Sequence, residues 1–319
     1  SFPTRRSSDL LIHSLRYDIH RAAQSAQGPN VAGGFLLSLD LTKAFDSVVR
    51  SKLFHALETL DADPITLNML KQIYECTTFS FWHRGQHRTL PTLRGIRQGC
   101  KAAPILWACF AAVILETTAA AVNWEWISQS ITVFADEFCL HCLCNGVDDV
   151  KRSLTHIGKF LDILTTAGLT VNMNKTVAVY KILGRKANTL NKQYIKRTKD
   201  GTFLCIPCQH GPVHVRLVKQ FTYLGVVMSY SNFALLTARH RIKAGTAVTH
   251  QLSRWLHKQK GLTPTQKLRL WYQCTFPSLI YGLRITGIDI HILQLLDQTC
   301  MQHIRRIFRS PVHITHTSH

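Results

Sequence analysis

Residues 131–143 read ITVFADEFCLHCL: an alternating apolar run from Ile131 to Phe134, adjacent carboxylates at Asp136 and Glu137, and a second apolar run from Phe138 to Leu143. Two β-like runs around so short a break predict a tight hairpin with acid at its tip. Hairpins turn most readily on Asn-Gly, Asp-Gly or other pairs that accept a positive φ. An Asp-Glu tip is a poor turn, and in a basic chain it needs a reason. One reason is a metal ion carrying a polyphosphate; the other is an ordinary polar turn. The rest of the chain decides between them.

Working outward, a second carboxylate stands at the end of another short apolar strand, Phe35 to Leu41, in SLDLTKAFD. Two strands that each end in an aspartate, Asp40 and Asp136, can lie side by side in an antiparallel sheet. Their side chains could then hold two divalent cations about 3.5–4 Å apart, the spacing for in-line phosphoryl transfer. Hard oxygen ligands suit Mg²⁺, which completes its shell with water and substrate phosphates. Asp46 is the alternative carboxylate of the same segment and is better placed to anchor the residues that follow.

The composition favours a polyanionic partner. The chain has 319 residues, 46% of them hydrophobic, and a net charge of +20 from 38 Lys/Arg against 18 Asp/Glu. That length allows one large domain or two to three small ones with a real core. The charge points to nucleic acid, with an acidic membrane as the alternative. From Thr237 to His319 there are twelve Lys/Arg and two acids, Asp289 and Asp297. Ten cysteines without a regular framework fit a reducing compartment rather than a disulfide scaffold. No secretory signal is visible. The longest apolar run, Ala102 to Leu115, contains Pro104 and is stopped by Glu116, so a buried helix is expected rather than a membrane span. Residues 1–10, SFPTRRSSDL, read like a translated sequencing adapter, and no initiator Met precedes them. A fragment of a longer reading frame is expected, with a truncated tail at 311–319.

Periodicity predicts helices over Leu11–Ala26, Ser51–Leu60, a segment from Pro64 to about Tyr74 capped by Asp63, and Val147–Thr166 with Gly168 as its C-terminal cap. Phe79–Trp82 and His87–Leu93 predict a hairpin, as do Phe203–Ile206 with Val213–Leu217. Val177–Tyr180 and Phe221–Met228 predict single strands, and the lysine- and arginine-rich stretch after Lys181 a loop. Beyond residue 230 the pattern is helical, with a capping box at Thr263-Pro264-Thr265-Gln266 and a last helix from about Ile292 to Phe308. The order of elements suggests an α+β unit with an all-α appendage.

Five segments occur in the order SLDLTKAFD, GIRQGCKAAP, FADE, AGLTVNMNKT and FTYLG. In that order they resemble a reverse transcriptase of the non-LTR (LINE-type) retrotransposon class, over residues 35–228. The helical remainder, with RIKAG and LRLWYQCTFPSLIYG, resembles its thumb less specifically. The resemblance implies an α+β right-hand palm, an antiparallel sheet with helices, over 35–230, with a basic loop and hairpin insertion at 181–217. A helical thumb and connection follow over 231–310. Residues 11–34 would be a remnant of fingers that are otherwise missing.

The resemblance also implies the chemistry. The chain would extend a DNA primer on an RNA template with dNTPs and two Mg²⁺ ions, for which Mn²⁺ could substitute. Asp40 and Asp136 become metal ligands with the Leu41 carbonyl beside them, and Glu137 belongs to the same catalytic set. Phe45 becomes the gate against a 2′-hydroxyl. Arg97, Gln98 and Gly99 become nucleotide and template contacts, and Lys175 a general acid or charge partner for pyrophosphate. Phe221, Tyr223, Leu224 and Gly225 become the primer grip. Arg254, Trp255, Lys258 and Trp271 suggest a helix laid along the template–primer backbone, although both tryptophans also suit a core. The partners implied are template and element RNA, DNA primer and dNTP, with no membrane. The implied setting is an intracellular ribonucleoprotein, nuclear or cytoplasmic and not secreted.

Glu137 stands where the family has a second Asp, KAAP departs from the usual second motif, and the basic fingers are nearly absent. These departures keep open a non-catalytic, nucleic-acid-binding remnant. A group II intron maturase is a further alternative, which K-A-F-D suits less well. Cys205, Cys208, His210 and His214 form C-x₂-C-x-H-x₃-H, ligand types that suit Zn²⁺. Their spacing is very short and restricted by Pro207 and Pro212, so the pattern is read as a hairpin with incidental Cys and His.

Overall fold

The computed structural model describes residues 31–308 apart from 76, 93, 98, 259 and 260. The helix expected at Leu11–Ala26, most of the finger remnant and the 311–319 tail lie outside the described residues. The chain divides into two compact units, Ser1–Lys219 and Gln220–His319.

The first unit is built on β1 (Ala32–Asp40), whose run of apolar residues is buried almost without a break. A strand covered on both faces reads as a continuous apolar segment rather than an alternating one. It is the third strand of a seven-stranded sheet, ordered β4 (Ile131–Phe134), β5 (Glu137–Cys144), β1, β6 (Val177–Leu183), β9 (Val213–Leu217), β8 (Gly201–Ile206) and β7 (Ile195–Thr198). Neighbours are antiparallel except β6 and β9, which pair in parallel. The loop expected after Lys181 is corrected: it is ordered as helix α7 (Ala187–Tyr194) and β7. Lys196 and Arg197 lie exposed on β7, the edge strand, where charge discourages further pairing. The β2 (Thr78–His83) and β3 (Gln86–Pro91) hairpin stands as a separate, exposed two-stranded sheet.

Between β1 and β2 come α1 (Ala44–Ser47), α2 (Arg50–Thr59) and α3 (Pro64–Glu75). Asp63 caps α3, its Oδ2 accepting the Thr66 N–H at 2.8 Å. Next are α4 (Ala103–Ala121), α5 (Trp124–Ser130) and α6 (Val147–Thr166). At 19 residues α4 is longer than the apolar run suggested, and by length and composition it could cross a membrane. Here Leu106, Trp107, Phe110 and Ile114 are instead buried in the same core as β1 and α6. Val150, Leu154, Ile157, Leu161 and Leu164 form the buried stripe of α6, and Asp148 and Asp149 sit at its positive end.

His141 lies in the middle of β5 and is buried. Burial pushes its imidazole down to about 4 from the usual 6.5, so it is neutral in the fold and charges on unfolding. Its contribution is full above pH 6.5 and is lost as pH falls toward 4. Stability from urea unfolding is expected to drop by on the order of 3 kcal/mol from this group between about pH 7.5 and about pH 4. His141→Gln should flatten that slope; an unchanged slope would show that other groups carry the acid sensitivity.

The second unit contains β10 (Phe221–Tyr223), β11 (Val226–Met228), α8 (Phe233–Gln251), a π turn at Arg254–Lys258, α9 (Pro264–Ile280), α10 (Leu283–Thr286) and α11 (Ile290–Phe308). The strand expected over Phe221–Met228 is corrected to a hairpin, because Leu224 and Gly225 both take positive φ, 46° and 82°. The capping box at Thr263 forms on both sides: Thr263 Oγ1 accepts the Gln266 N–H, and Gln266 Oε1 accepts the Thr263 N–H. Trp271 packs with Leu256, Leu279 and Ile307, and its Nε1 donates to His303 Nδ1 at 3.3 Å. That burial removes Trp271 from any nucleic-acid surface of this unit. Trp255 is exposed, with the Arg254 guanidinium 5.9 Å from its ring centroid.

Candidate active site

The acids meet at one end of the seven-stranded sheet. Asp40, the last residue of β1, stands directly opposite Glu137, the first residue of β5. Phe134 also pairs with Glu137, so the two-residue turn is Ala135-Asp136 rather than Asp136-Glu137. The expected tip is thus shifted by one residue: Asp136 occupies the turn and Glu137 belongs to the returning strand. Ala135 carries the conformational burden with φ 53°. Such a left-handed residue without glycine costs about 1–2 kcal/mol. Its carbonyl accepts the Trp107 Nε1–H from α4 at 2.6 Å.

The backbone of Asp40 is held from the other side. Its N–H donates to Thr176 Oγ1 at 3.2 Å, and its carbonyl accepts the Asn172 N–H at 2.8 Å. Thr42 N–H donates to the Thr170 carbonyl at 2.8 Å, leaving Leu41 and Val171 as a bridge between the two bonds. Neither bond uses the Leu41 carbonyl. The segment AGLTVNMNKT therefore acts as a brace on the end of β1. It also carries Lys175, whose Nζ lies 3.7 Å from Asp40 Oδ2. Lys175 is 70% exposed, so this pair is a solvent-screened neighbour contact and a weak source of stability.

Glu137 is crowded by like charge. Lost hydration at the sheet end, then the carboxylates of Asp136 and Asp40, hold its carboxyl above the usual range. Asp40 and Glu137 in register, Asp136 in the adjoining turn and one exposed lysine beside Asp40 make a site whose charge calls for cations. Among the described residues no group of three or more His, Cys, Asp or Glu side chains is gathered closely enough to hold a metal ion by itself. The donors are hard oxygens, and a cation such as Mg²⁺ that takes one or two carboxylates and fills its shell with water and phosphate fits them.

Phe45, in α1, is half-buried with its ring centroid 5.1 Å from that of Trp107. Its carbonyl accepts the Ile96 N–H at 2.8 Å, joining α1 to the segment that carries Arg97. Arg97 is exposed, Gly99 takes φ 80° with open space beside it, and Gln98 lies outside the described residues. Arg50 was not singled out from the sequence. Its guanidinium donates to the carbonyls of Tyr74, Thr92, Gly95 and Arg94 and to Thr92 Oγ1, tying down Thr92, Arg94 and Gly95. Burial pushes its pKa down. An arginine next to a helix start has no sequence signal that separates this role from a solvated one.

In the second unit Phe221 and Tyr223 are buried, while Thr222 is exposed. The surface that the β10–β11 hairpin offers is therefore Thr222 and the Leu224-Gly225 turn. Arg241 Nε and Nη2 both donate to the Gly225 carbonyl, at 2.9 and 2.6 Å, and its guanidinium lies 5.1 Å from the Tyr281 ring centroid. A Cβ at Gly225 would meet Arg241 Nη2 at 2.4 Å and Tyr281 at 2.7 Å. In the Cys/His group, Cys205 and His214 pair across β8 and β9, His210 is exposed, and burial, then Asp162, pushes the Cys208 thiol up to about 11.

The family model for reverse transcriptase (RNA-dependent DNA polymerase) matches residues 14–228, and the chain belongs to that family. Among characterised relatives it is 26% identical to a Retrovirus-related Pol polyprotein from type-1 retrotransposable element R2 of Popillia japonica, a match covering 97% of this chain and 40% of that protein. It is 24% identical to the type-2 element R2DM polyprotein of Drosophila melanogaster, covering 88% of this chain and 25% of that one. The retrotransposon class read from the five motifs agrees with both. The chain thus spans two fifths or less of these two relatives. Among solved structures, apo telomerase from Candida tropicalis matches with TM-score 0.48 and 12% identity, over 96% of this chain and 52% of that one. Telomerase from Candida albicans with a TWJ fragment of telomeric RNA matches with TM-score 0.48 and 14% identity, over 98% of this chain and 46% of that one.

Proposed function

We propose that this chain is the polymerising part of a non-LTR retrotransposon reverse transcriptase, adding dNTPs to the 3′-hydroxyl of a DNA primer on an RNA template. The observation that carries this reading is the register that sets Asp40 against Glu137 with Asp136 in the adjoining turn. Asp40 and Asp136 would hold two Mg²⁺ ions (or Mn²⁺), with the Leu41 carbonyl as a further ligand. When bound, the ions lower the pKa of the attacking hydroxyl and neutralise charge on the departing pyrophosphate. The chain's own residues do the rest. Lys175, beside Asp40, offsets charge on pyrophosphate or protonates it. The Phe45 ring stands against a 2′-hydroxyl. Arg97 reaches phosphate, and Gln98 and Gly99 contact nucleotide and template. The Phe221–Gly225 segment, through its turn, positions the primer end. The setting is an intracellular ribonucleoprotein, nuclear or cytoplasmic, with the element's own RNA.

A second reading, a nucleic-acid-binding remnant without catalysis, is favoured by Glu137. Its carboxylate is one methylene longer than the usual Asp and lies opposite Asp40 in the sheet. A displacement of about 1 Å at such a site can cost on the order of 10²-fold in rate. The test is primer extension on an RNA template by the full-length protein that carries this chain. Incorporation of dNTPs that stops on chelation of Mg²⁺ is expected. Salt-sensitive nucleic-acid binding with no incorporation at any Mg²⁺ or Mn²⁺ concentration would replace the first reading by the second.

A further inference from the structure

We infer that Trp107 is a positioning residue, which ties the Phe45 ring and the Asp136 turn into one unit so that the sugar barrier and the metal-binding carboxylate hold a common geometry. The inference rests on the polymerase reading of this site. Trp107 touches no reacting group in that reading. It lies in α4, 3% exposed, with Phe110 packed beside its ring at a centroid distance of 6.3 Å. Its two functional contacts come from different parts of one side chain. The indole N–H donates to the Ala135 carbonyl at 2.6 Å, and the indole ring lies against Phe45, centroids 5.1 Å apart and planes inclined by 32°.

The donor matters because of where it is spent. Ala135 precedes Asp136 in the turn and holds φ 53° without being glycine. A strained turn persists only where its surroundings over-determine it. The short indole bond supplies that restraint, and it is made by the residue that also backs Phe45. Phenylalanine at position 107 would keep an aromatic contact with Phe45 and would lose the donor together with part of the buried ring. Glycine at position 135 would accept positive φ without strain and would lessen the need for the donor. These two substitutions separate a positioning role from simple packing.

The experiment measures Mn²⁺ binding to the purified 319-residue chain by electron paramagnetic resonance, with the thermal midpoint taken in parallel. Trp107→Phe is expected to weaken Mn²⁺ binding about tenfold, since about 1 Å of carboxylate displacement is consequential at such sites, with the midpoint lowered by the lost core packing but the chain still folded at the assay temperature. Trp107→Phe combined with Ala135→Gly is expected to recover most of that loss. In the full-length protein, Trp107→Phe is expected to narrow the preference for dATP over ATP in parallel with its lower Mn²⁺ affinity. Mn²⁺ binding unchanged in Trp107→Phe but lost in Asp136→Ala would overturn the inference and leave the metal site standing. Binding unchanged in Asp136→Ala would remove the metal site and the inference with it. Should Trp107→Phe not fold, Ala135→Gly alone decides: tighter or equal Mn²⁺ binding supports a turn held under strain, and weaker binding overturns it.

Discussion

Asp136→Asn in the full-length protein is expected to lower Mg²⁺-dependent primer extension by at least about 10³-fold, equivalent to about 4 kcal/mol of barrier. The substitution keeps the size and hydrogen-bonding shape of the side chain and removes its charge. Asp136 sits in the two-residue turn, flanked by Ala135 in the left-handed region and by Glu137 in register with Asp40. The Glu137 carboxyl is held up by lost hydration and then by its acidic neighbours, and removing the Asp136 charge relieves part of that repulsion, so the fold is not expected to suffer. Loss of rate with an unchanged thermal midpoint is therefore the signature. Single-nucleotide extension under saturating dNTP measures it. A variant within tenfold of the parent would show that Asp136 is not a metal ligand, whatever the family to which the chain belongs.

Gly158→Ala should remove about 3 kcal/mol of stability, although an alanine in a helix is ordinarily better than a glycine by about 1 kcal/mol. Gly158 lies on the buried stripe of α6, next to Ile157. A Cβ there would fall 1.8 Å from the Pro207 carbonyl oxygen and 3.0 Å from its carbonyl carbon. Both are backbone atoms, and their segment is fixed by β8 on one side and by the Gln209 N–H bond to Asp162 of α6 on the other. The helix cannot move off without opening the core, and overpacking of this kind costs about 1–3 kcal/mol or more. The outcome is read as a lower urea midpoint at unchanged m, with the thermal midpoint down by about 6–12 °C. An unchanged or raised midpoint would show that the spacing of α6 from this segment is not set at Gly158.

Local chemistry was readable along the chain. The ends of α6, the Asp63 and Thr263 caps and the strands flanking FADE depend on residues a few positions apart, and the structure places them close to their expected bounds. The ordered motifs were readable too, because the acids and glycines of a phosphoryl-transfer site restrict residue type. Less visible were α5 and α7, helices of seven and eight residues that are too short to display a helical period, and β7, whose charges suit a strand only at the sheet's edge. The roles of Arg50 and Trp107 leave no local mark in the sequence, because their partners lie 24 to 45 and 28 residues away.

The hairpin at residues 131–143 marks the division. Alternation of apolar residues was enough to fix two strands and a turn with acid beside it. Which two residues form the turn was decided by the pairing of β5 with β4 and β1: Phe134 opposes Glu137, and a one-residue shift would send the buried Phe138, Leu140 and Cys142 to the opposite face. That register sets Glu137 against Asp40 and leaves Ala135 and Asp136 to turn. The turn then holds its unfavourable backbone because a tryptophan from a separate helix donates to it. Sequence determined which groups are present, since residue type and short-range period are local properties. Tertiary structure decided which of them face one another, because register and helix packing are settled only when the whole core is buried at once.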